Sequence, residues 1–325
     1  MKLNNKICVV GAGYWGKNHI RTLNELNSLG GVVDSNIEAL NKIKNKYSNV
    51  STYLNLEDAI DKGGFEAFSV ATPAETHFEI SKRIIESKKH VLVEKPLTLD
   101  IREAELLVNL AKKKSVNLMV GHLLLFHPAI RKIKDLINDG RIGKLQYIYS
   151  NRLNLGQVRS EENVFWSFAP HDISIFQYLT DSFPISINAY GSSFLQKGIY
   201  DSTITQLKYP DNIDGHIFVS WLHPFKEHRL VVIGSDSMIT FEDSSKGSIL
   251  KLYSKKFTFE NGIPEKVDGP VKFIDYDAKM PLTEELSYFM KCIKENKKPK
   301  IANGEHALQV IKVLINASDK LNNEK

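Results

Sequence analysis

The sequence predicts a mixed α/β protein: an N-terminal doubly wound parallel sheet, then a C-terminal α+β domain with a large, mostly antiparallel sheet. Three observations predict it. Over the first ~120 residues, unbroken apolar runs of strand length alternate with amphipathic helical stretches, as a parallel sheet with crossover helices requires. One such run, Ile7–Val10, passes directly into a glycine-rich turn. After Gly121 the rhythm changes to short alternating runs of antiparallel type.

In chain order, strand-like runs fall at Ile7–Val10, Leu29–Asp34, Ala67–Ala71, His90–Val93 and Asn117–Val120. Their near-continuous apolar character is that of strands covered on both faces. Between them, Asn18–Leu26, Ile37–Lys46, His77–Ser87 and Ile101–Lys113 carry apolar residues at helical spacing, and Leu54–Asp61 resembles a further short helix. Beyond Gly121, Pro128–Asn138 reads as a helix, Lys144–Leu155 as a long alternating strand and Asp172–Leu179 as a helix. Strands are expected at Ile185–Phe194, Thr203–Tyr209, His216–Leu222, Arg229–Ile233, Met238–Glu242 and Ile249–Tyr253. Glu284–Glu295 and Gly304–Leu321 close the chain as helices. No repeat or low-complexity linker interrupts it, so the expected domains are 1–121 and 122–325.

The turn Gly11-Ala-Gly13-Tyr14-Trp15-Gly16 points to a ligand. A buried strand turning tightly into a helix aims backbone N–H groups at a diphosphate. Gly11 makes the turn, Gly13 lets the backbone approach the phosphates, and Gly16 lets helix and strand pack closely. Asp34 lies 18 residues past Gly16, near the ~20 expected for a carboxylate that hydrogen-bonds an adenosine ribose. Glycines also gather in ordinary turns; here the strand before, the helix after and the acid downstream agree. The N-terminal domain is therefore expected to be a Rossmann dinucleotide-binding domain. Asp34 repels a phosphate on that ribose and Ser35-Asn36 offer no arginine to accept one, which favours NAD over NADP.

Composition excludes other classes. With 325 residues, 42% hydrophobic and 25% charged, the chain suits a soluble protein of two domains at ~150 residues each. The net charge of +5 is spread through Lys82-Arg83, Lys88-Lys89, Lys112–Lys114 and Lys294–Lys300, without the aromatic-interleaved basic stripe of nucleic-acid binders. Such a bias can still steer an anionic substrate. Two cysteines, Cys8 and Cys292, with no CxxC pair exclude a disulfide scaffold and fit a reducing compartment. No secretory segment opens the sequence and no apolar run nears the ~20 residues that span a bilayer, so residence in the cytoplasm is expected. The histidines show no metal-ligand spacing, and no serine-nucleophile pattern occurs.

Ligands of open parallel sheets bind beyond the carboxyl ends of the strands. The polar residues there are Thr72-Pro73 with His77, Glu94-Lys95-Pro96, and His122. Most lysines are solvated; one at this place can hold a substrate hydroxyl and stabilise negative charge as its proton leaves. In Trp166-Ser-Phe-Ala-Pro170-His171-Asp172, Pro170 precedes the expected helix. His171 then lies near a helix N-terminus, which keeps an imidazole neutral and basic. Local satisfaction by the backbone is the alternative for His171, and first-turn capping the alternative for Asp172.

These residues resemble the Gfo/Idh/MocA oxidoreductases. The resemblance rests on the glycine-rich opening, Ala71-Thr-Pro73 with His77, Val93-Glu94-Lys95-Pro96-Leu97, Val120-Gly121-His122, and Leu286–Asn303 with Phe289 and Pro299. It covers essentially the whole chain, and Glu94-Lys95-Pro96 is its most specific mark. Gly11–Arg21, Tyr149-Ser-Asn-Arg152-Leu-Asn154-Leu-Gly156, Arg159 and Ala169-Pro-His171-Asp172 are similar to the branch acting on nucleotide-linked sugars. The resemblance implies Lys95 and His171 as the active-site pair. It implies Gly11, Gly13, Tyr14, Trp15, Gly16, Asp34, Ser35, Thr72, Pro73, His77, Glu94 and Lys95 around the cofactor. Lys95, His122, Arg152, Asn154, Arg159, His171 and Asp172 would meet the substrate. Related sequences commonly carry aspartate where this chain has Ser167, and a serine cannot stabilise an imidazolium as a carboxylate does; Asp172 or a substrate carboxylate would substitute.

The expected function is thus an NAD-dependent dehydrogenase oxidising the third carbon of a UDP-hexosamine or hexosaminuronate in surface-glycan biosynthesis. A keto-sugar reductase of a deoxysugar pathway is the alternative that Ser167 motivates. An NAD-binding sensor without catalysis is the alternative of another class. The broad antiparallel sheet needs cover on its second face, so a homodimer or homotetramer is expected, with no metal, nucleic-acid or membrane partner.

Overall fold

The computed structural model describes residues 6–156, 158–160, 162–244 and 249–322. The first sheet contains β1 (Ile7–Val10), β2 (Leu29–Val33), β3 (Ser51–Tyr53), β4 (Ala67–Val70), β5 (His90–Glu94) and β6 (Leu118–Gly121). All pair in parallel, in the order β3-β2-β1-β4-β5-β6. Each strand expected in this half is present, and β3 is added; three residues with an exposed Ser51 leave no period to read.

The helices of this half are α1 (Gly16–Glu25), α2 (Ile37–Lys46), α3 (Leu56–Lys62), α4 (His77–Glu86) and α5 (Ile101–Lys114). Side-chain caps set several starts. Asn36 Oδ1 accepts from the Glu38 and Ala39 N–H groups at 2.9 and 3.1 Å, and Asn55 and Asp100 open α3 and α5 likewise. The apolar faces close over β1, β4 and β5, whose interiors are buried without exception from Val91 to Val93 and from Ile7 to Val10.

The second part holds α6 (Pro128–Asn138), β7 (Leu145–Leu153) and α7 (Val164–Thr180). The strands β8 (Ser186–Ser192), β9 (Ser202–Tyr209), β10 (Ile213–Ser220), β11 (Glu227–Gly234), β12 (Met238–Glu242) and β13 (Ile249–Tyr253) follow. Then come β14 (Lys256–Glu260), β15 (Ile263–Val267) and β16 (Val271–Phe273). Eight strands form one sheet, β16-β13-β12-β11-β7-β10-β9-β8, and β14 pairs with β15 alone. Only β7 and β10 run parallel among the described pairings. The α7 helix covers one face so closely that a side chain at Gly215 would meet the Phe176 ring at 3.1 Å. Across the other face run Tyr147, Tyr149, Ile204, Tyr190 and Phe273, of which Phe273 is 69% exposed.

The expected helix Asp172–Leu179 starts eight residues earlier. Asn163 is extended and its Oδ1 accepts from the Trp166 N–H at 3.1 Å, so capping sets the start at Val164. Proline inside a helix costs about 3 kcal/mol, yet α7 runs through Pro170. Burial of Val164, Phe165, Ala169, Ile173 and Phe176 offsets that, at roughly 1.5–3 kcal/mol for each larger side chain. His171 is therefore an interior helical residue rather than one at an N-terminus, and the dipole argument for a neutral ring does not apply to it.

Helices α8 (Pro281–Lys294) and α9 (Gly304–Asn322) end the fold. Two compact units result: Met1–Phe126 with Lys279–Ile311, and His127–Ala278 with Lys312–Lys325. The consecutive split expected at 121/122 differs from this, because residues 279–311 belong with the first unit. The reason is the β6 edge. Val120 N–H donates to the Ala302 carbonyl at 2.8 Å, Met119 bridges Asn303, and Tyr288 packs on Phe126 with ring centroids 5.5 Å apart.

Candidate active site

In the first unit, the residues expected around a ligand gather at the carboxyl ends of β1, β4, β5 and β6. Gly11 has φ +97°, and a Cβ there would stand 2.7 Å from the Ala71 carbonyl oxygen. A Cβ at Gly16 would overlap the Gly11 carbonyl oxygen, so α1 can approach β1 only without a side chain. A Cβ at Gly13 would meet no atom within 4 Å. This glycine keeps space open in front of the turn. The first turn of α1 has no acidic residue, and Trp15 makes no side-chain capping bond. Its dipole and N–H groups suit an anion.

Asp34, at the end of β2, accepts the Ala12 N–H on Oδ2 at 2.6 Å and the Asn36 N–H on Oδ1 at 2.8 Å. Each oxygen keeps a lone pair for a ribose hydroxyl. The residues present thus fit the adenosine diphosphate half of a dinucleotide. Ser35 is exposed beside Asp34, and Tyr14 is exposed at the turn.

Thr72 and Pro73 follow β4 at the same edge, where Thr76 Oγ1 lies 2.7 Å from both Thr72 Oγ1 and the Pro73 carbonyl oxygen. His77, expected at the cofactor, is buried between two loops. Its Nδ1 lies 2.7 Å from the Pro96 carbonyl oxygen and its Nε2 2.9 Å from that of Thr72, so it ties the two loops together.

Lys95 is half-buried at the end of β5, and its bond to Pro96 is cis. Beneath it lies a chain that pattern reading missed. Ser69 Oγ stands 2.8 Å from His19 Nδ1, and His19 Nε2 stands 2.7 Å from Glu94 Oε1. Glu94 Oε2 accepts the Lys95 N–H at 3.3 Å. A neutral imidazole satisfies this chain when Ser69 donates to Nδ1 and Nε2–H donates to Glu94. The arrangement has the members of a Ser-His-Glu triad, but Ser69 and His19 are 0% exposed, so no substrate reaches the hydroxyl. Its role is to hold Glu94. Gly121 makes room: a Cβ there would lie 2.9 Å from both Glu94 oxygens.

Glu285 on α8 is also fully buried, and neither oxygen has a hydrogen-bond partner among the described residues. Burial, then the negative charge of Glu94, holds its carboxyl well above the usual range, which favours its protonated form. His122, at the end of β6, is buried against His306 with ring centroids 5.6 Å apart. Burial and the charges of His306 and Lys95 push it well below the ordinary imidazole value. These residues left a readable signal. Each is a polar residue at a core-facing place: His19 one turn past Gly16, Ser69 inside an apolar strand, Glu285 between Leu282 and Leu286.

In the second unit, Arg152 on β7 and Asp172 on α7 meet as a two-pronged ion pair, Nε to Oδ2 at 2.7 Å and Nη2 to Oδ1 at 3.1 Å. Their side chains are 11% and 3% exposed. These two residues, expected at the substrate, face each other and pin α7, next to His171, onto the sheet. His228 lies 3.5 Å from Arg152 and is pushed down to about 3 by burial, then by Arg152 and Lys226, so it is neutral. Ser167 and His171 stand one helical turn apart on α7. Asn154 N–H donates to the Ser220 carbonyl at 3.1 Å, and Arg159 pairs with Glu162 at 2.8 Å on the surface.

Residues 5–122 match the family described as "Oxidoreductase family, NAD-binding Rossmann fold", and residues 130–240 match the "GFO/IDH/MocA C-terminal domain". The two matches together cover more than half of the sequence. The chain belongs to the Gfo/Idh/MocA oxidoreductase family. Among its relatives, UDP-N-acetylglucosamine 3-dehydrogenase of Acidithiobacillus ferrooxidans is 29% identical over 189 residues. That match spans 56% of this chain and 56% of the relative. Myo-inositol 2-dehydrogenase of Thermotoga maritima is 24% identical over 318 residues, 93% of each chain. The solved structure of the Acidithiobacillus enzyme, GnnA, superposes with a TM-score of 0.85 over 98% of this chain and 97% of its own, at 21% identity. At that identity the superposition speaks for the shared fold. Like other members of the family, the chain is an oxidoreductase with an NAD-binding Rossmann domain.

Proposed function

We propose that this Gfo/Idh/MocA member is an NAD-dependent dehydrogenase that oxidises a secondary hydroxyl of a nucleotide-linked sugar, the third carbon of a UDP-hexosamine or hexosaminuronate. The observation that carries the reading is one sheet edge holding the glycine turn, Asp34 and Lys95 together. The sugar class rests on the similarity to UDP-N-acetylglucosamine 3-dehydrogenase.

A bound nicotinamide supplies the hydride acceptor. The chain's own residues do the rest. Gly11, Gly13 and Gly16 seat the diphosphate, and Asp34 takes the ribose hydroxyls of NAD while repelling the added phosphate of NADP. His77 keeps the loops after β4 and β5 in register. The Lys95 ammonium holds the substrate oxygen and stabilises the charge that grows on it, and His171 receives its proton. Arg152 and Asp172 act through α7 by fixing the helix that carries His171. Positioning of the reacting C–H supplies much of the acceleration.

A second reading, reduction of a keto sugar, is favoured by Ser167. No carboxylate stands one turn before His171 to hold an imidazolium, which weakens the oxidative direction. The open face of the eight-stranded sheet supports assembly as a homodimer or homotetramer, and the setting proposed is cytoplasmic synthesis of surface-glycan precursors.

The test is absorbance of the reduced nicotinamide with UDP-N-acetylglucosamine and its uronate under NAD, and with the 3-keto forms under NADH. Lys95→Met should lose turnover, by roughly the 10²–10³-fold that removal of one charge-stabilising donor costs, while dinucleotide affinity stays unchanged. Normal turnover by Lys95→Met removes the lysine from the mechanism.

A further inference from the structure

The first unit has a second concave place, at the amino end of the edge strand β6. It lies at the opposite end of the parallel sheet from Asp34 and Lys95, between the end of α5 and the start of α9. The cavity measures about 420 Å³, within the ~300–1,000 Å³ of small-molecule pockets. Its floor is apolar: Val108 and Ala111 on α5, with Val116 and Leu118 at the start of β6, are each at most 5% exposed. Gly304 brings α9 against this floor, since a Cβ there would stand 2.9 Å from Leu118 Cδ2 and 3.1 Å from Val108 Cγ2. Two exposed lysines stand at the rim. Lys112 is paired with Glu305 at 3.0 Å. Lys298 Nζ donates to the Val116 carbonyl at 3.1 Å, which uses one of its three N–H donors. No carboxylate pairs with Lys298 among the described residues. Its charge acts on the surroundings: burial, then Lys298 and Lys89, lowers the imidazole of His90, whose Nδ1 accepts the Asn117 N–H at 2.9 Å. The lysine-rich segments 112–114 and 294–300, far apart in sequence, thus meet at one cavity.

We infer that this cavity binds a small amphipathic monocarboxylate, its apolar body against Val108, Ala111 and Leu118 and its acid group on the Lys298 ammonium. The apolar floor rewards the body at about 25 cal/mol for each Å² taken from water. The two N–H donors left on Lys298 suit an oxyanion, and a charge-assisted hydrogen bond fixes its orientation. Glu305 lines the same cavity, and its charge opposes a dianion such as a phosphate monoester more than a carboxylate. The site is independent of the nicotinamide reading, because every residue named lies at the other end of the sheet.

The experiment measures binding alone. The probe is 4-phenylbutyrate, titrated into the full chain by ligand-observed NMR, with 4-phenylbutanol as its uncharged counterpart. Wild type, Lys298→Met and Ala111→Phe are compared, with folding followed by circular dichroism. The acid should bind the wild type about threefold tighter than the alcohol, or more, the scale of one half-exposed charged hydrogen bond. Lys298→Met should erase that margin and leave the alcohol unchanged, because methionine keeps an apolar stem. Ala111→Phe fills the floor and should weaken both probes by about tenfold or more. Lys298 is exposed, so Lys298→Met decides even where Ala111→Phe does not fold. Neither NAD nor inorganic phosphate should displace the acid. Absence of binding by the wild type overturns the inference, as does equal affinity for acid and alcohol, or a margin retained in Lys298→Met. Displacement by NAD also overturns it, since the probe would then sit at the glycine turn, and displacement by phosphate would reduce the site to a lysine that attracts any anion.

Discussion

Glu285→Gln tests the buried carboxyl pair through stability, with no ligand involved. In the fold, burial and the nearby Glu94 charge raise the Glu285 carboxyl well above its ordinary range. In the unfolded chain it titrates near ~4.3. A folded value above the unfolded one means that the contribution of Glu285 is complete below ~4.3, and is lost as pH rises toward the folded value. Between the two, unfolding releases one proton, and the wild type loses about 1.4 kcal/mol per pH unit from this group. Glutamine has no proton to release. The difference in unfolding free energy between Glu285→Gln and wild type should therefore climb by about 1.4 kcal/mol per pH unit through this window. One kcal/mol moves the midpoint of a chain of 150–250 residues by ~2–4 °C, so at 325 residues roughly 2–3 °C per pH unit is expected. Calorimetry of both proteins on a pH series rising from about 5 gives the comparison, and resolves the two compact units if they melt separately. All other titrating groups cancel in the difference. The low-pH offset is left free, because a buried amide also wants partners. Only the slope decides: parallel curves would mean that burial does not raise the Glu285 carboxyl into this window.

Arg152→Met leaves Asp172 buried without its partner and should cost about 3–5 kcal/mol, read as a lower denaturant midpoint; an unchanged midpoint would show that water reaches the pair. Replacing Asp34 by serine and Ser35 by arginine should move the preference toward NADP, as inversion of the affinity ratio in parallel titrations. Retained NAD preference would remove Asp34 from the choice of nucleotide. Light scattering at micromolar concentration should return a multiple of the 36.9 kDa chain mass, and a monomer mass would contradict cover of the open sheet face by a second copy.

Much of this molecule could be read from periodicity because its rules are local. Each strand of the parallel sheet is an unbroken apolar run, and the glycine turn adjoins the first of them, so order, direction and ligand edge follow from neighbours in sequence. Where partners are distant, pattern reading cannot name them. It expects Arg152 and Asp172 at the substrate, and nothing in their spacing says that strand and helix bring them within 2.7 Å of each other. It expects His77 at the cofactor, and cannot show that its ring nitrogens face carbonyls 5 and 19 residues away.

The helix at His171 fails for a different reason. Proline is a strong local signal, and it predicts a start; the cap at Asn163 and a run of buried side chains outweigh it. Glu94 shows what the two cases have in common. From sequence it is expected beside the cofactor, as part of Glu94-Lys95-Pro96. In the fold, a histidine 75 positions earlier holds its carboxyl group, and a buried glutamate on a late helix lies near enough for the two to repel. Such contacts belong to assembled neighbours, so they are the last thing a linear pattern can reveal.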